Sequence, residues 1–160
     1  MKNIATFAAG CFWGVESIIK KIPGVIETRV GYTGGVVKDP TYEMVKKGDT
    51  GHAEAVRIVF DSQKITYEEL LKYFFRLHDP TTLNRQQNDI GSQYRSAIFY
   101  HDEEQKKLAL KVIEEVESSK FWKNKILTQL EPAAVFYDAE EYHQNYLDKN
   151  PGGYNCHYLR

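Results

Sequence analysis

Cysteine is nearly absent: the 160 residues contain two, Cys11 and Cys156, at opposite ends of the chain. A disulfide scaffold needs more of them in a smaller domain, so the fold must rest on a hydrophobic core. The long apolar run of ~20 residues that a membrane-spanning helix requires is missing too. Charge of one sign is not in excess: the net charge is -1, and no Lys/Arg-rich run stands out. That removes the global positive field favoured by nucleic acid or acidic lipid. No Cys/His pairs stand at metal-ligand spacing. There is no Asn-X-Ser/Thr sequon, and Met1 to Gly10 carries one lysine and a short strand-like run, unlike a signal peptide. These absences lead us to expect a cytoplasmic monomer with no metal and no nucleic-acid or membrane partner. No repeat, low-complexity stretch or linker divides the chain. Residues 1–160 therefore read as one domain, with a tail over 148–160 that carries Cys156.

What is present is a well-marked succession of elements. Asn3 to Ala9 reads as a short buried strand. Val15, Ile18, Ile19 and Ile22 recur at helical spacing, and Pro23-Gly24 ends that helix. Val25 to Tyr32 is β-branched and reads as a strand, and His52 to Asp61 alternates most clearly of all. Thr66 with Glu69 forms a capping box for a helix through about Leu77. Arg95 to Tyr100 reads as a strand. Asp102 with Gln105 caps a long helix with Leu108, Ala109, Val112, Ile113 and Val116 on one face. Ala133 to Tyr137 is a further strand, and Ala139 to Leu147 a last short helix before Pro151-Gly152-Gly153. The order β-α-β-β-α-β opens the chain, as in the split-βαβ arrangement. The expected class is α+β: a ferredoxin-like two-layer sandwich with a mixed sheet and packed helices. Gly31 to Gly51, Asp79 to Gln93 and Asp138 to Arg160 do not fit that scaffold. All are polar or Gly-rich, and they are read as walls of a site.

Cys11 lies in Gly10-Cys11-Phe12-Trp13-Gly14, between a strand and the first turn of a helix. Helix-start N–H groups favour an anion, which would stabilise its thiolate; a plain buried cysteine is the alternative. Phe12 and Trp13 could wall a small apolar group, or simply pack in the core. Glu54 shares the period-two face of Val56, Ile58 and Phe60. A carboxyl there is desolvated and holds its proton near neutrality. The competing reading is a strand-end carboxylate turned outward, or paired with Arg57 or Arg95. Tyr42 and Tyr94 lie in or beside the odd loops, where their hydroxyls could donate to a polarised oxygen. Asp89 and Asn84 could orient partners or serve turns. His143 is an ordinary helix histidine or a site wall. His52, His78, His101 and His157 show no partner in the sequence. Cys156, beside Pro151-Gly152-Gly153, sits in a tail able to move toward another site.

Taken together these blocks resemble the methionine sulfoxide reductase A family. Gly10-Cys11-Phe12-Trp13-Gly14 reads as that family's nucleophile signature. Gly31-Tyr32-Thr33-Gly34-Gly35, Pro40-Thr41-Tyr42 and Gly51-His52-Ala53-Glu54-Ala55-Val56 follow in order. Gln93-Tyr94-Arg95-Ser96-Ala97-Ile98 and His143-Gln144-X-Tyr146-Leu147 complete the set over nearly the whole chain. The resemblance implies that Cys11 attacks the sulfoxide sulfur and that Glu54 protonates the oxygen, assisted by Tyr42 and Tyr94. Phe12 and Trp13 would hold the methyl group, with Asp89 and His143 in support. Cys156 matches a resolving cysteine. The implied substrate is methionine S-sulfoxide, free or in proteins, with no cofactor beyond an external dithiol such as thioredoxin. Gln87 stands where a glycine is expected, and a further C-terminal cysteine of some relatives is absent. Two other classes compete: a thiol peroxidase or Cys-His hydrolase using His143, and a non-catalytic ferredoxin-like binding module. The module predicts slow, nonselective thiol labelling.

Overall fold

The computed structural model describes residues 1–160. Its strands are β1 (Lys2–Ala9), β2 (Val25–Thr33), β3 (Ala53–Asp61), β4 (Arg85–Gln86), β5 (Asp89–Ile90), β6 (Ser96–Tyr100), β7 (Gln129–Pro132) and β8 (Phe136–Asp138). Its helices are α1 (Phe12–Ile19), α2 (Tyr42–Lys46), α3 (Tyr67–Leu77), α4 (Glu103–Ser119) and α5 (Tyr146–Lys149), with 3₁₀ turns at Ser92–Tyr94 and Glu141–His143. Six strands form one mixed sheet in the order β7-β6-β1-β3-β2-β8. β6 and β7 run parallel, and the other neighbours are antiparallel. β4 and β5 make a separate small hairpin.

Alternation along the strands decides which side is covered. Phe7, Val56, Ile58 and Phe60 face α1, α3 and α4, and pack with Val15, Ile19, Leu70, Leu71, Phe74 and Val112 in the main core. The opposite side carries a smaller cluster of Ala8, Ala53, Ala55, Ala97 and Phe99. The α3 cap is reciprocal, as its sequence predicts. Thr66 Oγ1 accepts from Glu69 N–H at 3.1 Å, and the Glu69 carboxylate accepts from Thr66 N–H at 3.1 Å. At α4, Asp102 accepts from Gln105 N–H at 2.8 Å, but the Gln105 side chain does not return to Asp102. It binds His101 N–H and Ile4 O instead.

Four expectations need correction. The strand read at Ala133 to Tyr137 forms as β8, Phe136–Asp138, against β2. β7 was not foreseen. The last helix is not continuous: Asn145 adopts φ +54 and divides the 3₁₀ turn from α5, because its N–H donates to Glu16 of α1 at 2.8 Å. The Gly31 to Gly51 segment is not all loop. Thr41 caps α2 within it, accepting from Met44 N–H at 3.3 Å. No helix is long and apolar enough to cross a membrane.

Removing the α3 cap has a defined cost. Thr66→Ala should lower folding stability by about 1 kcal/mol. The urea midpoint should fall while the slope stays constant. An unchanged midpoint would mean that the box contributes nothing.

Candidate active site

The register of the sheet brings the predicted residues to one end. Tyr32 of β2 lies opposite Glu54 of β3, and Ala9 of β1 lies opposite Ser96 of β6. Since Phe7 pairs with Val56, the end of β1 meets the start of β3 at Glu54. Gly10 then turns the chain into α1 with φ +94. A Cβ on Gly10 would stand 2.7 Å from Gln86 Cγ and 3.3 Å from His157 Nε2. Glycine is therefore needed for the turn and for the close approach of two other segments.

Glu54 is 1% exposed and faces the helices with Val56 and Ile58. Phe12 N–H, at the start of α1, donates to Glu54 Oε1 at 3.2 Å. Neither arginine considered as a partner reaches it. Arg57 approaches Asp138 at 3.9 Å, and Arg95 donates to Gln129 and nears Glu131. Burial raises the Glu54 carboxyl from 4.5 to about 8, against the lowering effect of the Phe12 N–H. Glu54 therefore holds a proton at neutrality.

Cys11 caps the N-terminus of α1 and is 9% exposed. The expected thiolate stabilisation does not hold. Burial pushes the thiol well above its ordinary range, and the neighbouring Glu54 charge adds to this. Only the Trp13 backbone N–H opposes them. The resting sulfur is a thiol. Slow labelling would thus fit a reductase and a binding module alike.

Tyr42 and Tyr94 share this end of the sheet. Burial, and next the Glu54 charge, hold both phenols above their usual range. Both therefore remain hydrogen-bond donors. Two side chains place Tyr42. Glu140 accepts from its N–H at 2.9 Å and from Tyr32 OH at 2.8 Å. Gln93 Nε2 donates to Lys46 O at 3.1 Å, which ties α2 to the turn carrying Tyr94.

Phe12 is buried between Tyr32 and His143, with ring centroids at 5.7 and 5.3 Å. Trp13 is half-buried and stacks on Tyr146 at 3.8 Å. Its indole N–H donates to His143 Nδ1 at 2.9 Å. That bond occupies the nitrogen a Cys-His hydrolase would need as a base.

The tail returns to the same end. Cys156 Sγ lies 3.8 Å from Asp89 Oδ2 and 3.6 Å from His157 Nδ1. Its charge would add to the upward pressure on Cys11. Both cysteines are free. Asn84 serves a turn instead: its φ is +47, and its backbone O accepts from Gly91 N–H at 2.9 Å.

Comparison with known proteins settles the family. The model described as "Peptide methionine sulfoxide reductase" matches residues 3–160. The chain belongs to the peptide methionine sulfoxide reductase family. It is similar to peptide methionine sulfoxide reductase MsrA of Methanothermobacter thermautotrophicus, 53% identical over 156 residues, covering 98% of this chain and 92% of the relative. It is similar to the crystal structure of Mxr1 from Saccharomyces cerevisiae in reduced form, with TM-score 0.94 and 44% identity over 99% of this chain and 92% of that one. The structure of Mxr1 in complex with Trx2 matches with TM-score 0.68 and 33% identity, covering 99% and 90%.

In this member of the family Gln87 takes over a position where glycine is expected. It adopts φ +52, a conformation that glycine enters more readily. Its side chain has a use there: Nε2 donates to Cys156 O at 2.9 Å. The tail is tied down further by His157 Nε2 on Ala9 O at 2.7 Å, and by Arg160 N–H on Arg76 O at 2.8 Å. A freely moving tail is not what the structure shows. Sequence reasoning assigns no role to Glu140, Gln93, Tyr146 or His157, because their partners are distant in the chain. His52, His78 and His101 prove structural, bound to Val37 O, Ser96 Oγ and Thr6 Oγ1 respectively.

The Glu54 proton has a sign that stability can report. Folded Glu54 keeps its proton up to about pH 8, whereas the unfolded carboxyl loses it near 4.5. The native state binds the extra proton between these values, so stability falls as pH rises through that window. Glu54→Gln removes the dependence. The variant's folding stability relative to wild type should rise from pH 5 to pH 8, by up to about 1.4 kcal/mol per pH unit. A pH-independent difference would mean that Glu54 is ionised throughout.

Proposed function

We propose that this chain reduces methionine S-sulfoxide, free or in proteins, to methionine, with Cys11 as nucleophile. The observation that carries the reading is a buried, protonated Glu54 held on the amide of Phe12, the residue that follows the nucleophilic cysteine. A sulfoxide sulfur is electrophilic, and its oxygen becomes basic as sulfur attacks. S–O cleavage needs a proton at that oxygen. Glu54 supplies it, and the proton leaving the Cys11 thiol restores Glu54. Tyr42 and Tyr94 donate hydrogen bonds to the oxygen. Phe12 and Trp13 wall the methyl group, with His143 fixing the indole. The hydroxyl passes from the methionine sulfur to the Cys11 sulfur as the bond between the two sulfurs breaks, so the thioether departs and Cys11 becomes a sulfenic acid.

Cys156 then condenses with the sulfenic acid, releasing water, and Asp89 helps hold the tail thiol. An external dithiol resets the disulfide by exchange. The Mxr1–Trx2 complex supports thioredoxin in that role, and the chemistry uses no metal or organic cofactor. A reducing compartment such as the cytoplasm suits two free thiols. We read residues 1–160 as one catalytic domain, with the resolving cysteine in the tail at 148–160. The order β6-β1-β3-β2, antiparallel throughout, supports a ferredoxin-like centre extended by β7 and β8.

Cys11→Ser should abolish turnover with dithiothreitol. Cys156→Ser should still release about one methionine per chain and leave a dimedone-reactive sulfenic acid, while cycling with thioredoxin collapses. Normal cycling in that variant would remove Cys156 from the mechanism. Peroxide and ester substrates, run in parallel, separate this reading from a peroxidase or hydrolase.

Glu54→Gln should lower the single-turnover rate of methionine formation ~10²–10⁴-fold, with little effect on KM. The wild-type rate should fall as pH rises through about 8, where Glu54 loses its proton, and that limb should vanish in the variant. An unchanged rate and profile would reduce Glu54 to a structural carboxyl.

A further inference from the structure

The residue after Cys156 is buried, and neither the reading above nor the family motifs use it. His157 is 7% exposed, against 57% for Tyr158. Its Nε2 lies 2.7 Å from Ala9 O. A carbonyl only accepts, so Nε2 carries the ring hydrogen. Burial lowers the basicity of the imidazole, more than the Ala9 bond and the Asp89 charge raise it. The ring is neutral, and Nδ1 therefore has a free lone pair. That nitrogen lies 3.6 Å from Cys156 Sγ.

The slot holding the ring is built. His157 N–H donates to Asn155 Oδ1 at 2.9 Å, which fixes the turn around Cys156. The space over Gly14 is taken by this turn: a Cβ there would stand 2.6 Å from His157 Nδ1 and 2.5 Å from Asn155 Oδ1. A second acceptor is near, Asp89 Oδ2 at 3.8 Å from the sulfur, but it already accepts from Tyr154 OH at 3.1 Å. The Cys156 thiol needs a base, because burial raises its pKa.

We propose that His157 Nδ1 accepts the proton of Cys156 in the step that closes the Cys11–Cys156 disulfide. The proposal rests on the roles given above to the two cysteines. As the S–S bond forms, the Cys156 proton passes to Nδ1. The S–O bond of the Cys11 sulfenic acid breaks, and the hydroxyl leaves as water with a proton from Glu54. The sulfenic sulfur is reduced and the thiol sulfur oxidised, so no outside reagent is consumed. The imidazolium and the Glu54 carboxylate then return to neutral by moving one proton through solvent. The charges facing the imidazolium are Asp89, which favours it, and Arg160, which opposes it. His78 packs nearby and stays neutral, its pKa lowered to about 3 by burial.

The test is His157→Gln, whose amide N–H can still reach Ala9 O while no base replaces Nδ1. Methionine release and disulfide closure are followed separately in single turnover, by rapid quench with alkylation and mass measurement. The methionine burst should be unchanged. Closure near pH 7 should slow ~10²-fold, rise about tenfold per pH unit, and recover with added imidazole. Wild-type closure should be flat through neutrality, fall below the ordinary histidine range as Nδ1 is protonated, and fall again as pH rises through about 8, where Glu54 loses its proton. Wild-type closure rate in the variant overturns the proposal. So does a slowing by the same factor at every pH with no imidazole response, which would make His157 an anchor alone. Should the variant fail to fold, wild-type closure that climbs tenfold per unit from pH 7 to 9 also overturns it. Absence of a methionine burst in the wild type would instead sink the reductase reading.

Discussion

The contact between Glu54 Oε1 and Phe12 N–H, at 3.2 Å, joins the two halves of the site. It lies between the first turn of α1 and the start of β3, on the covered face of the sheet. Taking a carboxyl out of water favours its protonated form. A single amide donor does not offset that loss, which is why Glu54 stays protonated to about pH 8. The surrounding core enforces the desolvation. Val56, Ile58 and Phe60 continue the same face, and the rings of Phe12 and Tyr32 stand 5.7 Å apart beside it. A less complete core would admit water, and the carboxyl would become an ordinary surface acid.

The tail depends on the same end of the sheet. His157 is bound to the last carbonyl of β1, one turn from Cys11. Gln87, Arg76 and Asp89 hold the segment from three other directions. In the mechanism proposed above, such anchoring lowers the entropy lost when Cys156 approaches the sulfenic acid, so closure is an intramolecular event between placed groups. Most of these tethers bond to backbone or to a single side chain.

Much of the site was legible because it follows local spacing. Period two put Glu54 on the face of Val56 and Ile58, and the Thr66/Glu69 pair marked the start of α3. The unread parts are those set by partners far along the chain. β7 contains an exposed Pro132 and forms through parallel pairing with β6. α2 has only five residues and leans on Glu140, 98 positions from Tyr42. The last helix breaks because Glu16 of α1 takes the N–H of Asn145. His157 could not be assigned a partner, since Ala9 is 148 residues away. Propensity describes what a segment prefers alone, and long-range hydrogen bonds overrode it in each of these cases.

The misreading of Cys11 has a different physical origin. A helix N-terminus stabilises an anion through its free N–H groups. Here the first of those groups, on Phe12, is committed to Glu54, which leaves the Trp13 N–H as the donor that favours the thiolate. Two acidic groups thus share one helix start, and burial disfavours the charged form of both. Neither ionises readily while the other is charged, since each would raise the pKa of its neighbour. The site therefore stores both protons at neutrality: one on sulfur and one on the carboxyl. A thiolate prepared in advance would react with any electrophile that reached it. A thiol beside a protonated acid is suited to a group whose oxygen takes the carboxyl proton as its sulfur is attacked. In the proposed mechanism, the placement of the two protons favours a sulfoxide over a simple alkylating agent, before any shape of the pocket is considered.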